Sequence, residues 1–187
     1  MIKAVLVFNN HGKARLMKFF HYFTEDQQQQ AVREVFQIIS KRADSECNFV
    51  EGISTELLGG MDYSLVYRHY ATLYFVFCCD SSESELGILD LIQVLVESLD
   101  KCFENVCELD LIFHVDKVHY LVNEIVMGGM VLETNMAEII PHAQHQLKIE
   151  KEDKGTAQVV VAGVASAPTR AVAAVNQVKL AVQQGLK

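Results

Sequence analysis

Residues 65–113 decide the fold: LVYRHYATLYFVFCCDSSESELGILDLIQVLVESLDKCFENVCELDLIF. Residues 72–79 are apolar on both alternating sets, as a central strand covered on two sides must be. The serine-rich turn 80–84 follows. Leu86, Leu89, Ile92, Leu95, Val96 and Leu99 then recur at helical spacing and give the next helix a wide apolar stripe. Behind that helix comes a strap, Asn105 to Leu111. Strand and helix supply two apolar walls, and the strap closes the end of the slot between them. An apolar slot with a few polar groups at its rim suits a short peptide better than a reaction.

Outward from this segment the pattern is an alternation of strands and helices. Residues 1–8 are β-prone, Asn9 to Lys13 read as a turn, and 14–22 return as a second strand. Thr24 followed by Gln27 is a capping-box signature, and Val32, Val35, Phe36 and Ile39 continue it at helical spacing. Shorter strands are expected at 47–51 and 64–69, around a glycine-containing loop at 52–62. Ser82 to Glu85 reads as a second capping box. Val115, Val118, Leu121, Val122 and Ile125 mark a helix that Gly128-Gly129 should stop, and a last short helix fits 135–147. Two strands, a helix, three strands and then helices make an α+β fold. The expected architecture is a five-stranded, mostly antiparallel sheet flanked by helices.

The chain of 187 residues divides by composition into a domain at 1–147 and a low-complexity, Ala/Val-rich tail at 148–187. The tail lacks bulk for a core and reads as mobile, with helical tendency at 171–184. The first part carries 10 Lys+Arg against 21 Asp+Glu, net −11, and the tail 6 against 3, net +3. An acidic body argues against unaided nucleic-acid binding and against direct docking on anionic lipid. The longest apolar run, 73–79, is too short for a bilayer, and no signal peptide is read at the start. Cys47, Cys78, Cys79, Cys102 and Cys107 are odd in number and irregular in spacing, so buried, reduced thiols are expected.

Enzyme signatures are missing. There is no G-x-S-x-G and no phosphate-cradling glycine loop. His142 and His145 are three apart, but without a third ligand they are not read as a metal site. Cys107 near His114 raises a thiol nucleophile, yet an apolar context with acidic neighbours does not activate one, and a packed cysteine is the simpler reading. The sequence therefore gives no enzyme, no metal and no cofactor. The cationic hairpin Lys13-Ala14-Arg15 stands out only because its surroundings are acidic.

The segments MIKAVLVFNNHGKARL, YRHYATLYFVF and FENVCELDLIF, spread over 1–147, resemble the sigma (small) subunits of heterotetrameric clathrin-adaptor complexes. The runs DSSESELGILDLIQVLVESLDKCFENVCELDLIFHVDKVH and VMGGMVLETNM, the loop at 52–62 and the long tail are most like the sigma subunit of the third adaptor complex. The resemblance implies a longin-like fold and a non-enzymatic subunit partnered by a large delta-like adaptin, with beta-like and mu-like chains. It implies a place in the cytoplasm, on the cytoplasmic face of Golgi and endosomal membranes and transport vesicles, with membrane contact only through the complex. It further implies acidic dileucine sorting signals as ligands, for transport to lysosome-related organelles. Carried across, the signal's acidic residue lies near Arg15. Its leucines enter a slot of Ala71, Leu73, Val96, Val106 and Leu111, and Asn105 contacts the peptide backbone. Two other functions stand beside this one: a purely structural adaptin-binding subunit, and a longin-like trafficking regulator that contacts a small GTPase.

Overall fold

Alternating burial sets the sheet. In the computed structural model, which describes residues 1–43, 45–53 and 63–165, β1 (Ile2–Asn9) and β5 (Leu73–Asp80) are buried along nearly their whole length. A strand buried on both faces belongs at the centre, and these two pair with each other. β2 (Ala14–Phe19) flanks β1, and β4 (Tyr63–Tyr70) flanks β5, with β3 (Phe49–Ile53) at the far edge. The order is β2-β1-β5-β4-β3, and every pairing is antiparallel. This is the five-stranded sheet expected from the sequence.

Two hydrophobic layers cover the sheet. On one face, Val32, Val35 and Ile39 of α1 (Glu25–Ile39) pack on Ala4, Leu6, Phe8, Leu65, Val76 and Cys78. On the other, Val5, Val7, Phe75 and Phe77 meet Ile88, Ile92, Leu95 and Leu99 of α2 (Glu85–Phe103), with α4 (Val115–Ile125) beside them. Ile2 shares the Val5 side despite its odd spacing, because the register shifts between Ile2 and Ala4. Each Val, Leu, Ile or Phe side chain so removed from water contributes roughly 1.5–3 kcal/mol.

Local signals fix the helix starts. Thr24 accepts from the Gln27 backbone and Gln27 reaches back to the Thr24 amide, completing the box read from the sequence. At α2 the cap is Ser84, which accepts from Gly87 N at 3.4 Å; no reciprocal box forms at Ser82. A short helix, α3 (Glu108–Phe113), converts the end of the expected strap into one and a half turns.

Three expectations need correction. Gly128 and Gly129 do not merely stop α4. With φ of +59° and +82° they turn a two-residue hairpin between β6 (Val126–Met127) and β7 (Met130–Val131). Gly129 O also accepts from Ile2 N at 2.9 Å. The last helix, α5 (Met136–Ala165), does not end at Leu147 but runs through the charged stretch 148–154. Of the five cysteines, all free, Cys78 and Cys79 are buried while Cys47 and Cys107 are exposed. Burial pushes the Cys78 thiol up to about 12.

By internal packing the chain forms two units, Met1–Gln144 and His145–Lys187. In the first, Ile139 and Ala143 of α5 are buried in the core. Of the loop expected at 52–62, residues 52 and 53 belong to β3 and 54–62 lie outside the described residues, as does the helical tendency expected at 171–184. Among the described residues no helix is long and apolar enough to cross a membrane, and no three His, Cys, Asp or Glu side chains come together as a metal site.

Candidate binding slot

The β4–β5 connection is a two-residue turn, Ala71-Thr72, since Tyr70 pairs directly with Leu73. α2 crosses beside it, and the chain leaving α2 comes back across the end. Between them lies a cavity of about 380 Å³, lined by Leu73, Phe75, Val96 and Val106, with Glu97 and Glu108 at its edge. Tyr70, Ala71, Thr72, Asp100 and Cys107 also line it. That volume is near the lower limit for a small-molecule pocket, and suits a few side chains of a peptide.

The rim is held in unusual backbone geometry. Among the described residues, the non-glycine positions with positive φ are Ala71 (54°), which lines the cavity, and Glu104 (52°) and Asn105 (78°), which lead the chain into Val106. Such conformations cost about 1–3 kcal/mol each, so neighbouring contacts must hold them. Asp100 accepts from Val106 N at 3.1 Å, and Asp110 accepts from Cys107 N at 2.8 Å. Lys117 Nζ donates to Cys102 O at 2.7 Å, capping the carboxyl end of α2 with a positive charge. On the other wall, Arg68 and Tyr70 both donate to Gln93, whose amide donates to Glu97 at 2.7 Å, tying α2 to β4.

Arg15, on β2, arrives at the slot through Glu108, the first residue of α3. Its Nε donates to Glu108 Oε1 at 2.7 Å, and Nη2 lies 2.6 Å from the same oxygen. Asn9, itself buried, donates to that oxygen at 3.1 Å, and Thr72 adds a side-chain hydrogen bond to the same carboxylate. The Arg15 hydrogen bond, with those of Asn9 and Thr72, holds the Glu108 carboxyl below the usual carboxylate range.

The structure thus brings together Ala71, Leu73, Val96 and Val106, and places Arg15 one side chain away from them. Asn105 stands exposed on the strap, next to Val106 but outside the cavity lining. Leu111 requires a correction. It is fully buried in the α2–α4 core and presents no surface to the slot, because α3 turns that face inward. The sequence does not single out Glu108, and no local signal separates it from Asp110, the other acid of the same strap.

Comparison with known proteins bears on this geometry. A model of the family described as "Clathrin adaptor complex small chain" matches residues 1–150. This chain belongs to that family. AP-3 complex subunit sigma-2 of Homo sapiens is 63% identical over 180 residues, 96% of this chain and 88% of that protein. AP-3 complex subunit sigma of Dictyostelium discoideum is 58% identical over 153 residues, 82% and 90% of the two chains. A chain in a structure described as a homology model of the full-length AP-3 complex in a stretched open conformation superposes with a TM-score of 0.64 at 39% identity, covering 83% of this chain and 99% of that one. The five-stranded sheet with its helices is the longin-like fold of adaptor small chains, and chains of this family are non-enzymatic.

Proposed function

We propose that this small chain is the sigma subunit of an AP-3-type vesicle-coat adaptor, and that its slot receives the paired leucines of acidic dileucine signals in cargo tails. The observation that carries the reading is the cavity itself, walled by Leu73, Val96 and Val106 and ending at the Arg15–Glu108 pair. Likeness to AP-3 sigma chains supports the placement in that complex, with a delta-like large adaptin as direct partner and beta-like and mu-like chains beyond it. The adaptor role lies in the domain 1–147, and 148–187 is an appendage to it. The complex works on the cytoplasmic face of Golgi and endosomal membranes, sorting proteins toward lysosome-related organelles. Asn105 contributes polar contacts from the strap when a peptide lies across the opening.

Magnitudes suit sorting. Two leucine side chains entering the slot contribute about 1.5–3 kcal/mol each. An exposed Arg–carboxylate contact adds about 0–1 kcal/mol, and ordering a flexible tail takes much of this back. The balance is weak, roughly micromolar, binding. Many such contacts on one coat then give firm capture.

The test is a binding titration of a dileucine peptide against the assembled adaptor complex. Val96→Ser, on the slot wall, is expected to weaken binding at least tenfold while the complex assembles and melts as before. Unchanged binding by that variant overturns the slot reading.

A structural role runs alongside. Leu109, Phe113 and Ile112 on α3, and Met127, Met130 and Leu132 near the β6–β7 hairpin, are exposed apolar side chains. They fit coverage by a large adaptin and not cargo capture, since none of them lines the cavity. The GTPase-contacting role has no residue to carry it further.

A further inference from the structure

We infer that Glu97 and Asp100, on the α2 wall of the slot, form a subsite for a basic residue adjoining the paired leucines. The cargo tails this chain selects then carry a lysine or arginine beside the pair. This rests on the proposed reading of the slot as the leucine site, and it leaves the signal's acid near Arg15 as that reading has it.

The two acids stand three residues apart on α2, so both side chains project to one side of the helix. Both line the cavity, together with Val96 of the same helix. Glu97 accepts from the neutral Gln93 amide at 2.7 Å, and Asp100 from Val106 N at 3.1 Å. Neither bond brings a positive charge, and among the described residues neither acid has an ion-pair partner. Glu108, the third acid of the lining, lies against Arg15. Arg68 donates to the Tyr70 hydroxyl and to the Gln93 carbonyl, and is not part of the lining. The lining itself holds no lysine or arginine. Two carboxylates one helical turn apart, at the edge of an apolar cleft, attract a cation.

The slot also suits the rest of a basic side chain. Tyr70 and Phe75 meet edge to face with centroids 5.8 Å apart, and both line the cavity. A lysine or arginine lays its methylene stem along such apolar surface while its charged head reaches a carboxylate. Charge complementarity thus names the occupant: an apolar pair in the cleft, with a basic neighbour against the α2 wall.

The experiment is a titration of four peptides on the assembled adaptor complex. The leucine pair is flanked on both sides by alanine, by arginine or by glutamate, and the fourth peptide has flanking arginines with serines in place of the leucines. In the parent complex the arginine peptide is expected to bind about threefold or more tighter than the alanine one, and the glutamate peptide about threefold or more weaker. Both differences should shrink at about 0.5 M salt, where exposed charges are screened. Glu97→Gln combined with Asp100→Asn removes both charges and keeps both hydrogen-bond acceptors. It should bring the arginine-to-alanine ratio to about 1.5 or less, and scoring the ratio cancels any general loss of affinity. If the double variant does not assemble, Asp100→Asn alone, at an exposed position, should lower the same ratio. Equal binding of the arginine, alanine and glutamate peptides by the parent overturns the inference. So does an arginine preference that survives the loss of both charges. If serines in place of the leucines change nothing, the slot reading itself has failed, and the two failures are told apart.

Discussion

Gly128 and Gly129 form a matched pair that measures one contact. Both have positive φ, so an alanine at either pays the left-handed penalty of about 1–2 kcal/mol. Part of that, about 0.4–1 kcal/mol, is returned because the unfolded chain loses freedom. At Gly128 nothing lies within 4 Å of the added Cβ, so Gly128→Ala should cost only about 0.5–1 kcal/mol. At Gly129 the added Cβ would stand 2.3 Å from the carbonyl oxygen of Ile2, which is backbone and cannot swing away. Something must shift, and the nearest bond to break is Ile2 N to Gly129 O, at 2.9 Å between residues that are both buried. Orphaning those groups adds about 1–3 kcal/mol. Gly129→Ala should therefore cost about 2–4 kcal/mol, a few times more than its neighbour. Urea denaturation followed by circular dichroism reads this as a shift in midpoint with the slope unchanged. Equal shifts for the two variants would refute the argument, because they would mean that the β6–β7 turn does not rest on β1.

Leu111→Ala should destabilise the domain by about 2–5 kcal/mol, as deletion of a fully buried side chain does; a denaturation midpoint close to the parent's would return Leu111 to the slot surface. Glu104→Gly should stabilise by about 0.5–1 kcal/mol, because glycine takes its φ of 52° without strain, and a loss of stability in thermal melts would contradict the rim geometry. Maleimide at neutral pH should modify Cys47 and Cys107 quickly, and Cys78 and Cys79 only after unfolding. A bound dileucine peptide should slow labelling of Cys107 and leave Cys47 untouched, and mass spectrometry showing equal rates at Cys107 would place the peptide elsewhere.

Much of this was legible in residue spacing. The two-sided apolar run at 72–79 announced a central strand, and the Thr24–Gln27 box gave a helix start that the structure reproduces bond for bond. What escaped was long-range or depended on which side of a short element faces inward. Nothing local records that Arg15 and Glu108, 93 positions apart, share one oxygen. In α3 a six-residue helix is too short for its period to show that Leu111 points into the core while Leu109 and Phe113 point out. Gly128-Gly129 satisfies both a helix stop and a tight turn, and the β6–β7 pairing, with the hydrogen bond to Ile2, chooses between them. The run of Lys and Glu after Leu147 reads as the start of a mobile tail, yet both are strong helix formers and α5 continues through them.

The sheet has an implication for how this small chain can change. Along β5, Phe75 and Phe77 belong to one hydrophobic layer, and Val76 and Cys78 to the other. The cavity lies on the α2 side, behind a strand tied to neighbours along both edges. The central strands act as insulation: α1 can be redecorated, fluorescently tagged or diverge between paralogues without the opposite side registering it.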